Sequence, residues 1–344
     1  MQRLKLGFQI GYWGAQPPVG VDALVAEAER LGYDSIWTAE AYGSDALTPL
    51  AWWGSQTERV KLGTSICQIS ARTPTAMAMA AITMDHLSGG RFVLGLGASG
   101  PQVVEGWYGQ PYPRPLERTR EYVEIIRKTL ARDEPVTYDG KQYTLPYPGG
   151  TGLGKPVKSI THPLRADLPI YLASEGPKNV ALTAEIADGW LAIYYAPSVD
   201  GFYRAALDEG FARPGARTAA ETFEVAATVP VIFHDDVEEA ADFLRPVLAL
   251  YIGGMGAKDV NFHANVFGRM GYEAEVQQIQ ELYLDGKKTE AAAAVPRSLI
   301  EQTALIGPRE KIRDDLDAWR ESIVTTLLLY GDATTLQTMA ELVL

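Results

Sequence analysis

Two short strings in this chain have the glycine spacing and charge to bring backbone close to a ligand. The first is GLGASG, Gly95 to Gly100, with glycine at its first, third and sixth positions. That spacing marks a dinucleotide site only where it joins a strand to a helix in a Rossmann unit. Here it ends the fourth strand candidate of a series and Pro101 follows, so it reads as a tight turn that a cofactor can approach, or as a plain glycine-rich loop. The second string is SEGPKN, Ser174 to Asn179, at the start of a helix pattern. Free amides at a helix N-terminus favour an anion and Lys178 adds a cation; a capped helix without a ligand is the alternative. The other residues expected at strand ends are Gln9, Tyr12, Trp13, Glu40 to Tyr42, Ser65 to Gln68, Tyr194 and Tyr195. That set is aromatic and small. It contains no His/Asp/Glu cluster with metal-ligand spacing and no Ser–His–Asp order with a nucleophile elbow, so no metal is expected. It suits a planar aromatic cofactor.

The four histidines separate by context. His86 lies in a helix pattern, and His162 and His234 lie in loops, where solvated histidines are common. His263, within NFHANVF, is the one placed to reach a substrate. Cys67 lacks a neighbouring histidine and reads as a small hydrophobe.

The elements that must position these residues alternate between short apolar runs and longer helical patterns, the rhythm of a parallel sheet with crossover helices. The predicted strands are Lys5–Gly11, Ser35–Ala39, Leu62–Cys67, Phe92–Gly97, Pro169–Ala173, Gly189–Ile193, Phe223–Phe233 and Thr326–Leu329. The predicted helices are Val21–Leu31, Thr75–Leu87, Leu116–Ala131, Asn179–Ala187, Val237–Ile252 and Arg309–Ser322. Such a series closes as an α/β fold of the (β/α)8 TIM-barrel type, with active-site residues at the C-terminal ends of the strands. One domain over residues 1–344 is expected. Insertions fall near 135–168, where a hairpin turns at Asp139-Gly140, near 196–222 and near 253–306.

Composition narrows the functional classes. Lys and Arg number 31 against 43 Asp and Glu, a net charge of −12, and no basic stripe offsets it, so nucleic acid is not an expected partner. No apolar run is long enough to span a membrane, and the N-terminal residues lack a signal-peptide pattern. With Cys67 as the single cysteine, a reducing, cytoplasmic setting is expected.

Five strings, in order, extend this reading: YDSIWTAEAYGSD, LGTSICQISARTP, GRFVLGLGASG, YLASEGPKNVALTAEIADGW and LIGPREKIRDDLDAWRESIVTTLLL. Together they resemble the luciferase-like monooxygenase superfamily, and within it the actinobacterial F420-dependent oxidoreductases. The resemblance implies coenzyme F420, a deazaflavin, and hydride transfer to or from a small organic substrate. It implies a bulge with a non-proline cis peptide at Ser65–Ile66 beneath the deazaflavin ring. The ring's surroundings would be Ser65, Ile66, Cys67 and Gln68, with Gly97, Ala98, Ser99, Gly100 and Val103 alongside. Ser174, Glu175, Gly176, Pro177, Lys178 and Asn179 would receive the phospholactyl tail. Trp13, Tyr42, Trp190, Tyr194 and His263 are the candidate substrate contacts, and a homodimer is expected.

One departure limits the resemblance. Where the glucose-6-phosphate dehydrogenase branch ends its second strand Asp-His, this chain has Glu40-Ala41, and Gly100 replaces that branch's further carboxylate. Glu40 is left as the catalytic candidate, bonding the ring edge or carrying a proton and mattering more for cofactor handling than for folding, or else as a structural rim carboxylate. Two other readings stay open: an FMN-dependent monooxygenase of the luciferase or alkanesulfonate type, and a non-catalytic deazaflavin- or flavin-binding protein.

Overall fold

The computed structural model describes residues 4–255 and 261–344. Eight parallel strands close on themselves: β1 Lys5–Gly11, β2 Ser35–Thr38, β3 Lys61–Thr64, β4 Phe92–Gly97, β5 Ile170–Ala173, β6 Gly189–Ile193, β7 Glu224–Val229 and β8 Thr326–Leu329. Each pairs with its neighbour in sequence, and β8 pairs back to β1, Lys5 opposite Thr326. This is the (β/α)8 barrel expected from the alternation.

Side chains fill the interior. Trp37, Val93, Tyr171, Leu191, Ala226 and Leu328 form a buried cluster inside the strands, with Ile66 and Ala173 against it. Trp37 and Tyr171 lie with ring centroids 6.0 Å apart. Rings of this size fit because their cross-strand partners are glycines. Gly63 pairs with Trp37, and a Cβ on Gly63 would stand 2.2 Å from the indole. A Cβ on Gly95 would stand 1.7 Å from the Thr64 carbonyl oxygen. The barrel is therefore solid below its C-terminal mouth.

Three differences from the expected elements have clear causes. Pro230 interrupts the seventh strand candidate, because proline offers no N–H to a ladder. Beyond it Val231–Phe233 leaves the barrel and pairs with Leu305–Gly307. Pro246 likewise divides the helix expected over Val237–Ile252 into Val237–Asp242 and Arg245–Gly253. The stretch read as an insertion near 196–222 carries a regular barrel helix, Asp200–Phe211, packed on Pro177–Ile186. Gly210 permits that contact, since a Cβ there would meet Ala181 O at 2.1 Å.

Elsewhere the local reading shifts in detail. The turn near Asp139 spans Gly140–Tyr143 between Tyr138–Asp139 and Thr144–Leu145. Its loop amides of Lys141, Gln142 and Tyr143 donate to the Glu121 carboxylate. Between β7 and β8, the helices from Val237 to Thr303 enclose a second core around Leu248, Ile252, Phe267, Ile279 and Leu299. Among the described residues no helix is long and apolar enough to cross a membrane.

Gly95→Ala is expected to cost about 3 kcal/mol or more, because the added carbon meets backbone rather than a movable side chain. Gly106→Ala, with nothing within 4 Å of its added carbon, is the control and should unfold with wild-type urea dependence. Equal unfolding midpoints for the two variants would contradict the packing described.

Candidate active site at the barrel mouth

The third strand organises the mouth. Gly63 pairs with Val93 and Cys67 with Leu96, so β3 spends one more residue than β4 over the same span. That is a β-bulge. The Ser65–Ile66 peptide within it is cis, as the resemblance implied. Side chains replace the ladder bonds the bulge disrupts. On the β4 side, the Thr64 hydroxyl donates to Gly95 O and accepts from Gly95 N, both at 2.9 Å.

On the β2 side, Glu40 does the same work. Its Oε1 accepts from the Gln68 amide at 2.8 Å, and its own amide donates to Ile66 O at 3.1 Å. Arg72 Nη1 lies 2.8 and 3.0 Å from the two carboxylate oxygens, and the Ala46 amide reaches Oε2 at 3.3 Å. The Glu40 side chain is only 3% exposed. Both carboxylate oxygens are thus engaged within the protein, the arrangement of the structural alternative. Arg72 was missed in the sequence; the signal available was a lone cation in SARTP just ahead of a helix.

The floor of the mouth is Ile66, which packs toward Gly97 and Ala173: a Cβ on Gly97 would meet Ile66 Cδ1 at 2.9 Å. Ser99 holds a left-handed backbone with φ of 59°. Its carbonyl accepts from the Tyr112 hydroxyl. Gly100 then caps a short helix, Pro101–Gly106, which the sequence reading did not expect; Val103 lies on it, partly buried. Cys67 departs from its assignment. Its side chain is fully buried in the layer between strands and helices, and burial pushes its thiol well up. Only its backbone belongs to the mouth.

Several buried polar atoms among the strand ends lack a partner within the protein: Gln9 Oε1, Trp13 Nε1, Gln68 Oε1 and Ser70 Oγ. Gln68 is oriented by its Nε2, which donates to Glu40 O at 3.3 Å, leaving Oε1 free. Native interiors rarely leave such atoms unpaired without a ligand or water to meet them.

Across the mouth, the segment after β5 divides in two. The Ser174 hydroxyl bonds Thr183 Oγ1 at 3.0 Å and its carbonyl accepts the Trp190 indole at 2.8 Å. Ser174 is thus an internal brace. Trp190 is buried at 1% exposure, packed on Tyr203 on the helix side of the sheet, which corrects its assignment as a substrate contact. Gly176 is the N-cap of Pro177–Ile186 with no side-chain cap, and Lys178 and Pro177 are exposed there, with Asn179 half-buried. Trp13 is half-buried, held by its amide on Ser44 Oγ, and Tyr42 is exposed.

Glu175 and Tyr194 meet a third element. His263 Nδ1, on the helix Phe262–Gly268, lies 2.9 Å from Glu175 Oε1. Tyr194 follows β6 directly in a left-handed conformation, φ 54°, and its ring packs edge-on to His263 and Tyr251 and against Phe267. Arg269 donates to Glu175 O at 3.0 Å and stacks on Phe202. Arg269 and Tyr251 carried no motif that marked them. The remaining histidines make local contacts, His86 on His162 O and His234 on Asp236. Among the described residues no three His, Cys, Asp or Glu side chains converge as a metal site.

A barrel with this mouth and this strand-three bulge defines a class, and the sequence agrees. The chain belongs to the luciferase-like monooxygenase family, whose pattern it matches over residues 10–326. It is 56% identical over 343 residues, 99% of each chain, to a putative coenzyme F420-dependent oxidoreductase of Mycobacterium tuberculosis. It is 27% identical to an F420-dependent glucose-6-phosphate dehydrogenase of Kineococcus radiotolerans, over 86% of this chain and 87% of that one. Its fold superimposes with a TM-score of 0.78 on the coenzyme F420-dependent tetrahydromethanopterin reductase of Methanopyrus kandleri, at 22% identity and covering 99% and 98% of the two chains.

Because Glu40 neutralises a half-buried Arg72, Glu40→Gln is expected to destabilise the protein by about 2 kcal/mol, discounted from about 3–5 for a fully buried pair. Arg72→Gln alone should cost a similar amount. The double variant should recover part of the loss, because no uncompensated charge remains. Urea unfolding of the four proteins measures the coupling; additive losses would mean the ion pair is not what holds the bulge.

Proposed function

We propose that this chain is a coenzyme F420-dependent oxidoreductase, one domain working in the cytoplasm, and that it transfers a hydride between the deazaflavin and a small organic substrate. The observation that carries the reading is the set of unpaired buried acceptors on the strands, Gln9 Oε1 in β1 and Gln68 Oε1 just past the bulge. A planar ring with polar N–H and C=O groups along one edge fits that arrangement. The full-length likeness to an F420-dependent relative supports deazaflavin over FMN. When bound, the coenzyme supplies a carbon that gives or takes a hydride and reacts poorly with oxygen.

The chain's own residues do the rest. Ile66 supports the ring from below, Gln9 and Gln68 meet its polar edge, and Ser99 and Gly100 leave room beside it. Glu40 is a positioning residue, acting through the Gln68 amide and the bulge. The uncapped turn Gly176–Asn179, with Lys178 beside it, receives the phosphate of the tail. The surrounding aromatic side chains exclude water and orient the substrate.

A second copy of the chain is the partner we assign to the exposed apolar side chains Trp52, Met79 and Leu87 on two neighbouring helices, Leu47–Gly54 and Pro74–Leu87. Sedimentation should show a dimer that Met79→Asp converts toward monomer; a monomeric wild type would remove the assignment.

The binding experiment decides the function. Quenching of F420 fluorescence should show clear preference for F420 over FMN. Lys178 is exposed and has no ion-pair partner among the described residues, so Lys178→Ala should weaken F420 binding about tenfold at low salt. The loss should shrink as salt rises, since an exposed charge is screened. Tighter FMN binding with oxygen consumption would replace this reading with the monooxygenase one, and binding without turnover would leave a carrier protein.

A further inference from the structure

The mouth contains a titratable pair beside, and not within, the turn Gly176–Asn179 proposed to receive the phosphate. Glu175 leaves the end of β5 and His263 comes from the insertion, and they meet at 2.9 Å with ion-pair separation but without hydrogen-bond alignment. Glu175 Oε2 is buried with no partner. Among the described residues the imidazole also meets aromatic rings, Tyr194 at 5.9 Å and Tyr251 at 5.0 Å between ring centroids, with Phe267 behind Tyr194. Among the described residues the cation beside the pair is Arg269, which donates to Glu175 O and the Tyr203 hydroxyl, lies over the Phe202 ring and keeps a buried Nε without a partner.

The compartment around this pair is a ring of phenols. Tyr12 follows β1, Tyr42 lies past β2, Tyr194 follows β6 and Tyr330 follows β8. Tyr251 joins them from the insertion, its phenol pushed up by burial and by its neighbours Tyr12, Tyr330 and Tyr42. Phenols donate and accept hydrogen bonds without adding charge at neutral pH. Among the described residues these phenols offer a ligand hydrogen bonds and no charge, which suits an uncharged molecule with a hydroxyl or carbonyl.

We infer that His263 is the proton-exchanging catalytic residue, that Glu175 positions it, and that the substrate is an uncharged alcohol or carbonyl compound. The inference rests on the proposed F420-dependent activity. In the alcohol-to-carbonyl direction the C–H bond breaks, and its electron pair and hydrogen leave together as hydride to the coenzyme. The O–H bond breaks at the same carbon's oxygen and its proton goes to His263; the reverse reaction returns both. The Glu175 charge 2.9 Å from Nδ1 favours the neutral ring's proton on that nitrogen by electrostatics rather than by an aligned hydrogen bond, so Nε2 carries the lone pair that accepts the substrate proton. The imidazolium formed is stabilised by Glu175, the orienting logic of a base held by a third group.

Nitrogen NMR of histidine-labelled protein tests the pair without turnover. The resonance missing in His263→Gln should belong to an Nδ1–H tautomer in the wild type, and Glu175→Gln should erode that tautomer. An Nε2–H tautomer at His263 would overturn the assignment. In F420-loaded protein, cyclohexanol should shift the His263 Nε2 resonance and glucose 6-phosphate should not. A shift by glucose 6-phosphate alone, or by neither probe, would overturn the substrate class. Failure of F420 to bind would sink the proposed function instead, and the tautomer measurement in unloaded protein still decides the pair. Where cyclohexanol is oxidised, His263→Gln should lower kcat at least a hundredfold with F420 affinity within about twofold, the range general acid–base catalysis supplies. A kcat within threefold of wild type would remove His263 from the reaction.

Discussion

The Glu40 carboxylate, neutralised by Arg72, is the interaction on which the barrel mouth depends. A parallel ladder supplies one donor and one acceptor per residue, and the extra residue in β3 breaks that supply on both sides. Thr64 repairs the β4 side with a hydroxyl, which can donate and accept at once. The β2 side presents a bare Gln68 amide, and a carboxylate oxygen is the strong acceptor that can reach it. A carboxylate this buried would be costly without its cation, so Arg72 completes the arrangement. Ile66 and Gln68 face the mouth because those two side chains hold the bulge from either flank.

Below the bulge, the interior is packed to a standstill. Trp37 and Tyr171 occupy space that Gly63 and Gly189 leave open, and Leu328 packs over Gly7. Nothing the size of a ring can descend into the barrel, so a ligand must lie across the top. Strand ends with short polar side chains then become the contact surface, which is why the unpaired acceptors collect there rather than in the core.

Much of this architecture was legible before the structure. β1, β4, β6 and β8 coincide with the predicted runs because each is short, apolar and bounded by turn residues. Proline decided the errors at Pro230 and Pro246. The site was legible by position and poorly legible by orientation. Barrel strands are buried on both faces, so alternation does not say which side chain faces the mouth and which faces the helices. Cys67 and Trp190 therefore sat in the right segments and pointed the wrong way. The ion pairs were hidden for a different reason. Glu40 with Arg72, and Glu175 with His263, join residues distant in the chain, and only the closed barrel brings each pair together.

The two halves of the mouth have different origins. The bulge, the floor and the turn at Gly176 come from barrel strands and their first helical turns, whose geometry the closed sheet fixes. Tyr251, His263 and Arg269 come from the helices between β7 and β8, which have a core of their own around Phe267 and Ile279. Tyr251, His263 and Arg269 therefore rest on that second core, whereas the strand register and the Glu40 clamp rest on the barrel. The contacts joining the two parts include Tyr194 against Phe267, Tyr251 and His263, Glu175 against His263, and Arg269 on Glu175 O. Each tie starts from a barrel residue just beyond a strand end, where the backbone is fixed most firmly. The insertion can vary its surface while these contacts hold His263 against Glu175.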